Sequence, residues 1–314
     1  MIVKIGRDFF NGTDQDLKDR VIEICQIAEA GHYLDVDNVI YEDFVKAIVK
    51  YAGDNYCRFI ADAMKKFSHE KSIRSYITTI NFADYNREQR RCLLIKPSEI
   101  LLENAAYEWG VYCNLVNYYV KGTKYKNVMN YLKRAIKLDM IEPAHLGGIY
   151  HLPTELSLKE NKYKNMYRHK ACVVFDRDTT NNHDIDSNKK EVFASLCNGI
   201  EFNKVDNELV YRLNYNSEYV WHMWYKRAIE NYFPKEKYEN SGVDMSTFDE
   251  QLPYDYLKFD EKNHSPKNYT KKMLKEIANG LSYDYFENHT HHFDINGDDM
   301  SEIMLLLLKI AKIT

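Results

Sequence analysis

The sequence predicts an α/β fold with a mostly parallel sheet flanked by helices. Three apolar runs of strand length support this prediction, at residues 97–102, 171–175 and 208–213. The segments between them carry apolar residues at three- and four-residue spacing, which indicates amphipathic helices. Strands that alternate with helices are typical of βαβ units, in which neighbouring strands run parallel.

Residues 1–95 are predicted to form an N-terminal helical region. Apolar stripes at helical spacing run over about residues 17–28, 44–49 and 60–67. A glycine follows each of the first two stripes as a stop signal. Because this region shows no constellation of catalytic side chains, its predicted role is packing or contact with a partner.

Residues 96–240 are predicted to form the core of the α/β fold, and residues 241–314 a helical extension that closes it. The last apolar helix packs against the core in this prediction, because its apolar residues form one stripe. The other predicted elements are helices at 105–120, 125–138, 189–196, 269–279 and 300–313, and an apolar segment at 141–149.

The amino-acid composition limits which partners the protein can bind and where in the cell it can be located. Lys and Arg total 43 against 47 Asp and Glu, so a net charge of −4 gives no overall attraction to nucleic acid or membranes. The six cysteines lie far apart without a C-x-x-C pair, which is typical of reduced thiols. No apolar run approaches the roughly 18 residues that cross a bilayer. We therefore expect a cytoplasmic protein with no membrane contact.

Acidic residues follow two of the predicted strands. Glu103 comes after the strand at 97–102, and Asp176 and Asp178 come after the apolar run at 171–175. Since alternate residues of an extended chain share a side, Asp176 and Asp178 are predicted to converge. The carboxyl ends of parallel strands meet at one edge, where carboxylates this close repel unless a cation neutralises them. The sequence thus predicts a divalent metal site of three carboxylates.

Residues 96–235 resemble the TOPRIM domains of nucleases of the overcoming-lysogenization-defect type and of related bacterial anti-phage effectors. The resemblance rests on Glu103 at a strand end, the later D-x-D pair at 176 and 178, and the segment KRAIENY at 226–232. That last segment is the most distinctive of the three. Asn104 departs from the pattern, since the family often has glycine there.

The resemblance implies a TOPRIM-like Rossmannoid core and metal-assisted hydrolysis of phosphodiesters in DNA or RNA, tRNA included. It places Mg²⁺ or Mn²⁺ on Glu103, Asp176 and Asp178, and it brings Glu230 to the site on a later helix. Lys226 or Arg227 would neutralise charge in the transition state. Effectors of this kind are commonly silenced by a protein partner. The chain has no Walker-type motif, so a partner ATPase or sensor would be a separate chain.

Two basic stretches, at 121–137 and 159–170, are candidates for binding nucleic acid. Basic side chains contact phosphates, and the tyrosines interleaved with them can stack on unpaired bases. A solvated helix face is the alternative interpretation. The candidate contact residues are Lys124, Lys126, Lys133, Arg134, Lys164, Arg168 and Arg227.

Other interpretations of the same residues remain open. The D-x-D also resembles haloacid-dehalogenase-like phosphohydrolases, with Asp176 as nucleophile, Asp178 as general acid/base and Gly297-Asp298-Asp299 as late metal ligands. The segment at 96–170 would then have no role. A third interpretation is a non-catalytic TOPRIM-like subunit that docks on a larger partner.

Several side chains have two interpretations in the sequence. Glu230 lies four residues after Lys226, so the two could form an ion pair on a helix surface. Asp184 and Asp186 either bind a second metal or belong to a solvated turn. The histidines at 289–292 lack a cysteine at zinc-ligand spacing, which favours a surface loop.

Overall fold

The computed structural model describes residues 1–69, 71–122, 124–179, 186, 189, 192, 196, 218–248, 254–259, 266–295 and 297–314. The predicted strand at 208–213 lies outside the described residues, as do most of the predicted helix at 189–196 and Asp184.

The N-terminal region contains a parallel sheet as well as helices. Its elements are β1 (Ile2–Ile5), α1 (Asp14–Glu29), β2 (Tyr33–Val36), α2 (Tyr41–Ala52), α3 (Asp54–His69) and β3 (Thr79–Asn81). The strand order is β2-β1-β3, and both pairings are parallel. The prediction of a helical region is therefore wrong in that it leaves out this sheet. Strands of three or four residues are too short to produce a periodic signal that stands out from the neighbouring helices.

The predicted helices of this region are confirmed, and their ends follow from local chemistry. The Thr13 side chain accepts a hydrogen bond from the Asp16 N–H at 3.2 Å, while Asp16 accepts one from the Thr13 N–H at 2.8 Å. This capping box satisfies two N–H groups that the first turn of α1 leaves free. Helix α2 ends at Gly53, whose φ of +83° favours glycine.

The second sheet is the mostly parallel sheet that the sequence predicts. Its strands are β4 (Ser98–Leu102), β5 (Ile141–His145), β6 (Ala171–Phe175) and β7 (Val220–Met223). The order is β5-β4-β6-β7, and every pairing is parallel. Strands β4 and β6 are buried along their whole length, as expected of inner parallel strands covered on both faces.

Helices cover both faces of this sheet. After the short helix α4 (Arg87–Arg90), the chain adds α5 (Ala105–Tyr119), α6 (Lys126–Lys137) and α7 (Leu152–Lys162), and its last helix also packs on the sheet. Consecutive residues of a strand point to opposite faces of the sheet, so two neighbouring residues of β4 identify what covers each face. The Glu99 carboxylate binds Lys159 of α7 at 2.6 Å, whereas the Ser98 hydroxyl donates to the Ile313 carbonyl oxygen at 2.5 Å.

The C-terminal residues are only partly the predicted helical extension. Helix α8 (Lys235–Asn240) ends the predicted core, and the extension contains α9 (Leu274–Ile277), α10 (Tyr283–His289), β8 (His292–Ile295), β9 (Asp298–Ser301) and α11 (Glu302–Ile313). Strands β8 and β9 make an antiparallel hairpin that the sequence does not signal. The predicted helix at 269–279 is reduced to a 3₁₀ turn and α9. Helix α11 is confirmed, and it is buried on nearly every side.

Two features of composition can be compared with the structure. Among the described residues, five cysteines are free thiols, as predicted: Cys25, Cys57, Cys92, Cys113 and Cys172. None of the described helices combines the length and the apolar character that crossing a membrane requires.

Candidate functional site

The site lies where the order of the second sheet changes direction. Strand β4 stands between β5 and β6, so the chain leaves the carboxyl ends of β4 and β6 in opposite directions. Ligands of open α/β sheets bind in the crevice at this position. Glu103 follows β4 and Asp176 follows β6, and the Asp176 N–H donates to Glu103 Oε1 at 3.3 Å. The predicted meeting of these two acids is confirmed.

The D-x-D pair takes a turn rather than the predicted extended form. Strand β6 ends at Phe175, and Asp178 has a left-handed φ of +63°. The Arg227 carbonyl oxygen holds this turn, because it accepts from the N–H groups of Arg177 at 2.9 Å and Asp178 at 3.1 Å. The period-two geometry is therefore wrong, because main-chain hydrogen bonds from the segment after β7 set the positions of the two aspartates. Both still lie close to Glu103, as predicted, since the Nζ of Lys189 contacts Asp178 and Glu103 together.

Glu230 reaches the site from the segment that follows β7. The Ile229 N–H donates to Asp176 Oδ1 at 3.2 Å, which fixes the two segments side by side. Glu230 is 1% exposed, and its Oε1 accepts from the Tyr269 hydroxyl at 3.2 Å. Its Oε2 has no hydrogen-bond partner among the described residues. Glu230 therefore lies beside the other acids, as predicted. The alternative interpretation, an ion pair with Lys226 on a helix surface, is wrong.

The segment at 226–232 is not the predicted later helix. It consists of bends followed by a 3₁₀ turn over Ile229–Tyr232. Lys226 turns away from the acids, since its Nζ lies 2.6 Å from Asp255 Oδ1 and donates to the Asn231 carbonyl oxygen at 3.1 Å. The assignment of Lys226 as a catalytic residue therefore finds no geometric support.

A further buried acid was missed by sequence reasoning. Glu108 lies in the first turn of α5, and its Oε1 accepts from the Asn104 N–H at 3.1 Å. Burial raises its pKa to about 8, and the charges on Glu230 and Glu103 act in the same direction against that of Lys271. The only sequence signal was an acid within the otherwise apolar start of a helix.

Burial and mutual repulsion set the electrostatics of the cluster. Burial is the largest cause that raises the pKa of Asp176, and the charges of Glu103 and Glu230 add to it. The pKa of Glu103 is also raised by burial, although Lys189 opposes this shift. We call Glu103, Glu108, Asp176, Asp178 and Glu230 the acidic cluster. Simultaneous ionisation of Glu103, Glu108 and Asp176 is costly, which favours a cation beside them.

Two lysines that the sequence did not mark lie against the acidic cluster. The Nζ of Lys189 is 2.7 Å from Asp178 Oδ2 and 3.7 Å from Glu103 Oε1. The Nζ of Lys271 is 3.6 Å from Glu230 Oε1. Burial opposes the charge of Lys271, yet the surrounding carboxylates raise its pKa. Among the described residues, no three Asp, Glu, His or Cys side chains are grouped so that they could hold a metal ion.

Lys271 reaches the cluster because the C-terminal segment packs closely on α5. A Cβ built on Gly110 of α5 would lie 2.7 Å from the Lys275 side chain of α9. Only glycine permits this approach without displacing Lys275. Lys271 stands one turn before α9, so close packing of α9 on α5 positions it. The sequence held no signal for this contact, which joins positions more than 160 residues apart by number.

Two of the predicted nucleic-acid contacts lie away from the acidic cluster. Lys164 and Arg168 precede β6 and so stand at its amino end, whereas Asp176 follows its carboxyl end. They lie 3.6 Å from Glu88 and 3.9 Å from Glu218 respectively. Proximity to Asp176 in sequence therefore does not bring these two side chains close to it in space.

The remaining predicted contacts divide into exposed and packed side chains. Lys126 and Lys133 are exposed on α6, and Lys124 donates to the Asp299 carbonyl oxygen at 2.8 Å. Arg134 packs inward, because it donates to the Gly31 carbonyl oxygen at 3.0 Å and its guanidinium stands 4.7 Å from the ring centre of Tyr33. Arg227 is 6% exposed and donates to the Asp178 carbonyl oxygen at 3.0 Å. Arg134 therefore serves packing, whereas Arg227 lies against Asp178 of the acidic cluster.

The residues around the β8–β9 hairpin do not converge on one point. His291 stacks on Tyr225 with ring centres 3.9 Å apart, while His292 Nδ1 lies 3.0 Å from the Asp299 carboxylate. Asp298 accepts from the Tyr125 hydroxyl at 3.3 Å. No hydrogen bond joins Asp298 or Asp299 to Asp176 within the described part of the chain. Asp186 is half-buried, and the prediction for its side chain stays a prediction.

The first sheet also carries acids at its carboxyl edge. A cavity of about 320 Å³ opens there, between the ends of β1, β2 and β3. Its acidic lining residues are Asp8, Asp35, Asp37 and Asp84. Three of them are exposed, and the fourth, Asp35, forms a 3.2 Å ion pair with Arg74.

Comparisons with known proteins give no family for this chain. No family model, no curated protein and no solved structure matches it. Its function is therefore inferred from the geometry described above.

Proposed function

We propose that this protein is a Mg²⁺- or Mn²⁺-dependent nuclease whose active site is the acidic cluster. One observation carries the proposal. Glu103, Asp176 and Glu230, from three separate segments, meet at the switch point of a parallel sheet, and the buried Glu230 Oε2 has no hydrogen-bond partner among the described residues. A buried carboxylate oxygen without a partner is costly, and a hard cation would stabilise it.

The donor atoms are of the right kind for such a cation, although the described carboxylates are not drawn together around one point. Carboxylate oxygens are preferred ligands of Mg²⁺ and Mn²⁺, and burial together with repulsion raises the pKa of both Asp176 and Glu103. A dication held by Glu103, Asp176, Asp178 and Glu230 would offset that repulsion. When bound, it would polarise a phosphodiester and acidify a water molecule.

The residues of the chain supply position and charge. Main-chain N–H groups of Asp176 and Ile229 orient the carboxylates of Glu103 and Asp176, so these acids are held before any ligand arrives. Lys189 and Lys271 partly neutralise the cluster, and a dication that binds there competes with them. Lys271 would also stand close to an anionic substrate. This assigns to Lys271 the role that the sequence suggested for Lys226.

The substrate and the biological setting stay predictions from the resemblance. They comprise DNA or RNA as substrate, anti-phage defence as the role, and control by a separate protein partner. The phosphohydrolase alternative gains no contact in the structure, because Asp298 binds Tyr125 rather than Asp176. A docking subunit without activity is the outcome that remains if no cleavage is found.

The decisive experiment compares two variants in a cleavage assay on labelled single- and double-stranded DNA and RNA with Mn²⁺. We expect Glu103→Ala to abolish cleavage and Asp298→Ala to retain it. The phosphohydrolase alternative predicts the reverse for phosphomonoester substrates. Full nuclease activity of the Glu103→Ala protein would overturn the proposal.

A second readout does not depend on substrate. Ligands that bind the folded state raise its stability, so Mn²⁺ should raise the melting temperature of the intact chain. Glu230→Gln should reduce that rise, because it removes one anionic donor. The matched control is Asp84→Asn in the first sheet, which should leave the rise unchanged. An equal rise in the wild-type protein and the Glu230→Gln variant would place the metal elsewhere.

A further inference from the structure

Helix α2 presents an apolar stripe to solvent on the side that does not face the core. Tyr41, Val45 and Val49 recur every four residues and so lie along one line of the helix. They are 46%, 36% and 46% exposed, whereas Phe44 and Ile48 on the adjacent line are buried. Val39, in the turn that precedes the helix, is also exposed, at 66%.

This arrangement differs from the other exposed apolar residues of the described chain. Phe59, Tyr150 and Leu158 are also exposed but occur singly within their helices. Scattered apolar side chains are normal on a protein surface, whereas a contiguous stripe marks a contact surface. An amphipathic helix needs one apolar face for its own core, and α2 has a second one.

The charges beside the stripe indicate what covers it. Glu42 and Lys46 are exposed and lie on the same side of the stripe, with the acid nearer the start of the helix and the base nearer its end. In an antiparallel pair of identical helices, residues on the same side of the seam face each other across the two-fold axis. Glu42 of each copy then meets Lys46 of the other.

We propose that α2 is the interface of a homodimer, in which two copies of this chain pair their α2 helices antiparallel across a two-fold axis. The Tyr41, Val45 and Val49 side chains form the apolar seam, and two symmetric Glu42–Lys46 pairs flank it. Such an isologous contact uses the same patch on both copies. A parallel pairing is disfavoured because it brings opposite sides of the two helices together and leaves the Glu42–Lys46 pairs unmade.

The contact that Lys46 makes within its own helix does not prevent it from pairing with Glu42 of the other copy. Lys46 lies 3.4 Å from Asp43 of its own helix, but the two side chains are 73% and 71% exposed, so that pair is weak. The seam has three apolar residues per copy, against about 20–30 residues per side in a standard interface, which indicates a reversible dimer rather than an obligate one. The proposal is independent of the nuclease assignment, because α2 contributes no residue to the acidic cluster.

Light scattering after size exclusion, over a range of micromolar concentrations, tests the proposal on the intact chain. We expect the mass to rise with concentration towards twice 37.3 kDa. Val45→Glu should hold the protein at the monomer mass, because it places carboxylates in the seam. The matched control is Leu158→Glu, a change at a single exposed apolar residue on α7, which should dimerise like wild type. Circular dichroism confirms that both variants are folded.

A charge exchange tests the antiparallel pairing itself. Glu42→Lys should weaken the dimer, because the introduced lysine of each copy would face and repel Lys46 of the other. Adding Lys46→Glu should restore it, since the exchanged charges again complement each other across the axis. A monomeric wild-type protein at all concentrations, or a dimer that Val45→Glu does not weaken, would overturn the proposal. A double variant no stronger than Glu42→Lys would overturn the antiparallel arrangement.

Discussion

The two parallel sheets of this protein place acids at the same position with different physical results. Each sheet has a central strand flanked by parallel neighbours, β1 in the first and β4 in the second, and acids follow the strand ends in both. In the first sheet these acids line an open cavity and are mostly exposed. In the second, Glu108, Asp176 and Glu230 are buried.

The difference comes from what covers each edge. The second sheet has β7, and the segment after it packs over the ends of β4 and β6 and contributes Glu230. Tyr269 and Lys271 then close the edge from the C-terminal residues. The first sheet, with three strands, has no such cover among the described residues. Topology alone therefore does not create a reactive acid, because water screens an exposed carboxylate, whereas burial removes that screening.

The largest expected effect concerns activity and separates the two edges directly. Asp176→Asn should lower Mn²⁺-dependent nuclease activity by at least the roughly 10²- to 10³-fold that follows loss of one electrostatic group in an active site. Asp37→Asn, the matched change at the first sheet, should keep wild-type activity. Cleavage rates under single-turnover conditions provide the measurement. Equal losses in the two variants would show that the comparison is wrong.

The next effect is on the pH dependence of stability. The pKa of Glu108 is raised from its ordinary value of 4.5 to about 8, so the folded state disfavours its charged form. Its contribution to stability is complete below pH 4.5 and is lost as the pH rises towards about 8. Glu108→Gln should therefore make the free energy of unfolding fall less over this range, by on the order of a few kcal/mol.

Urea unfolding at pH 5 and at pH 8, without divalent cations, measures this difference. The same kind of change at the first sheet, Asp84→Asn, should leave the pH dependence as it is in the wild-type protein. If Glu108→Gln showed the wild-type fall in stability, the burial of this acid would have no energetic consequence.

The smallest effect distinguishes the two lysines. Lys226→Met breaks the contact with Asp255, a half-exposed partner, and should cost about 1 kcal/mol of stability while Mn²⁺ affinity stays unchanged. Lys271→Met removes a positive charge beside the acidic cluster, so Mn²⁺ should bind several-fold more tightly. Calorimetric titration of both variants measures the affinities. If Lys226→Met bound Mn²⁺ more tightly and Lys271→Met did not, Lys226 rather than Lys271 would be the lysine beside the acidic cluster.

Much of the second sheet could be predicted from the sequence. Long apolar runs and strong helical spacing located β4, β6, α5 and α11 nearly at their observed bounds, because buried strands and helices of that length leave periodic signals. The short strands β1, β2 and β3 left none. The hairpin of β8 and β9 was hidden because its sequence is polar and charged.

Of the candidate site, the sequence by itself determined that Glu103 and Asp176 follow parallel strands and must share an edge. It determined this because strand direction fixes where the chain emerges. Only the tertiary structure decided that Glu108, Lys189 and Lys271 belong beside them and that Lys226 does not. Those side chains come from segments far apart in the chain. Their meeting depends on packing, such as the approach of α9 to Gly110, which no local pattern encodes.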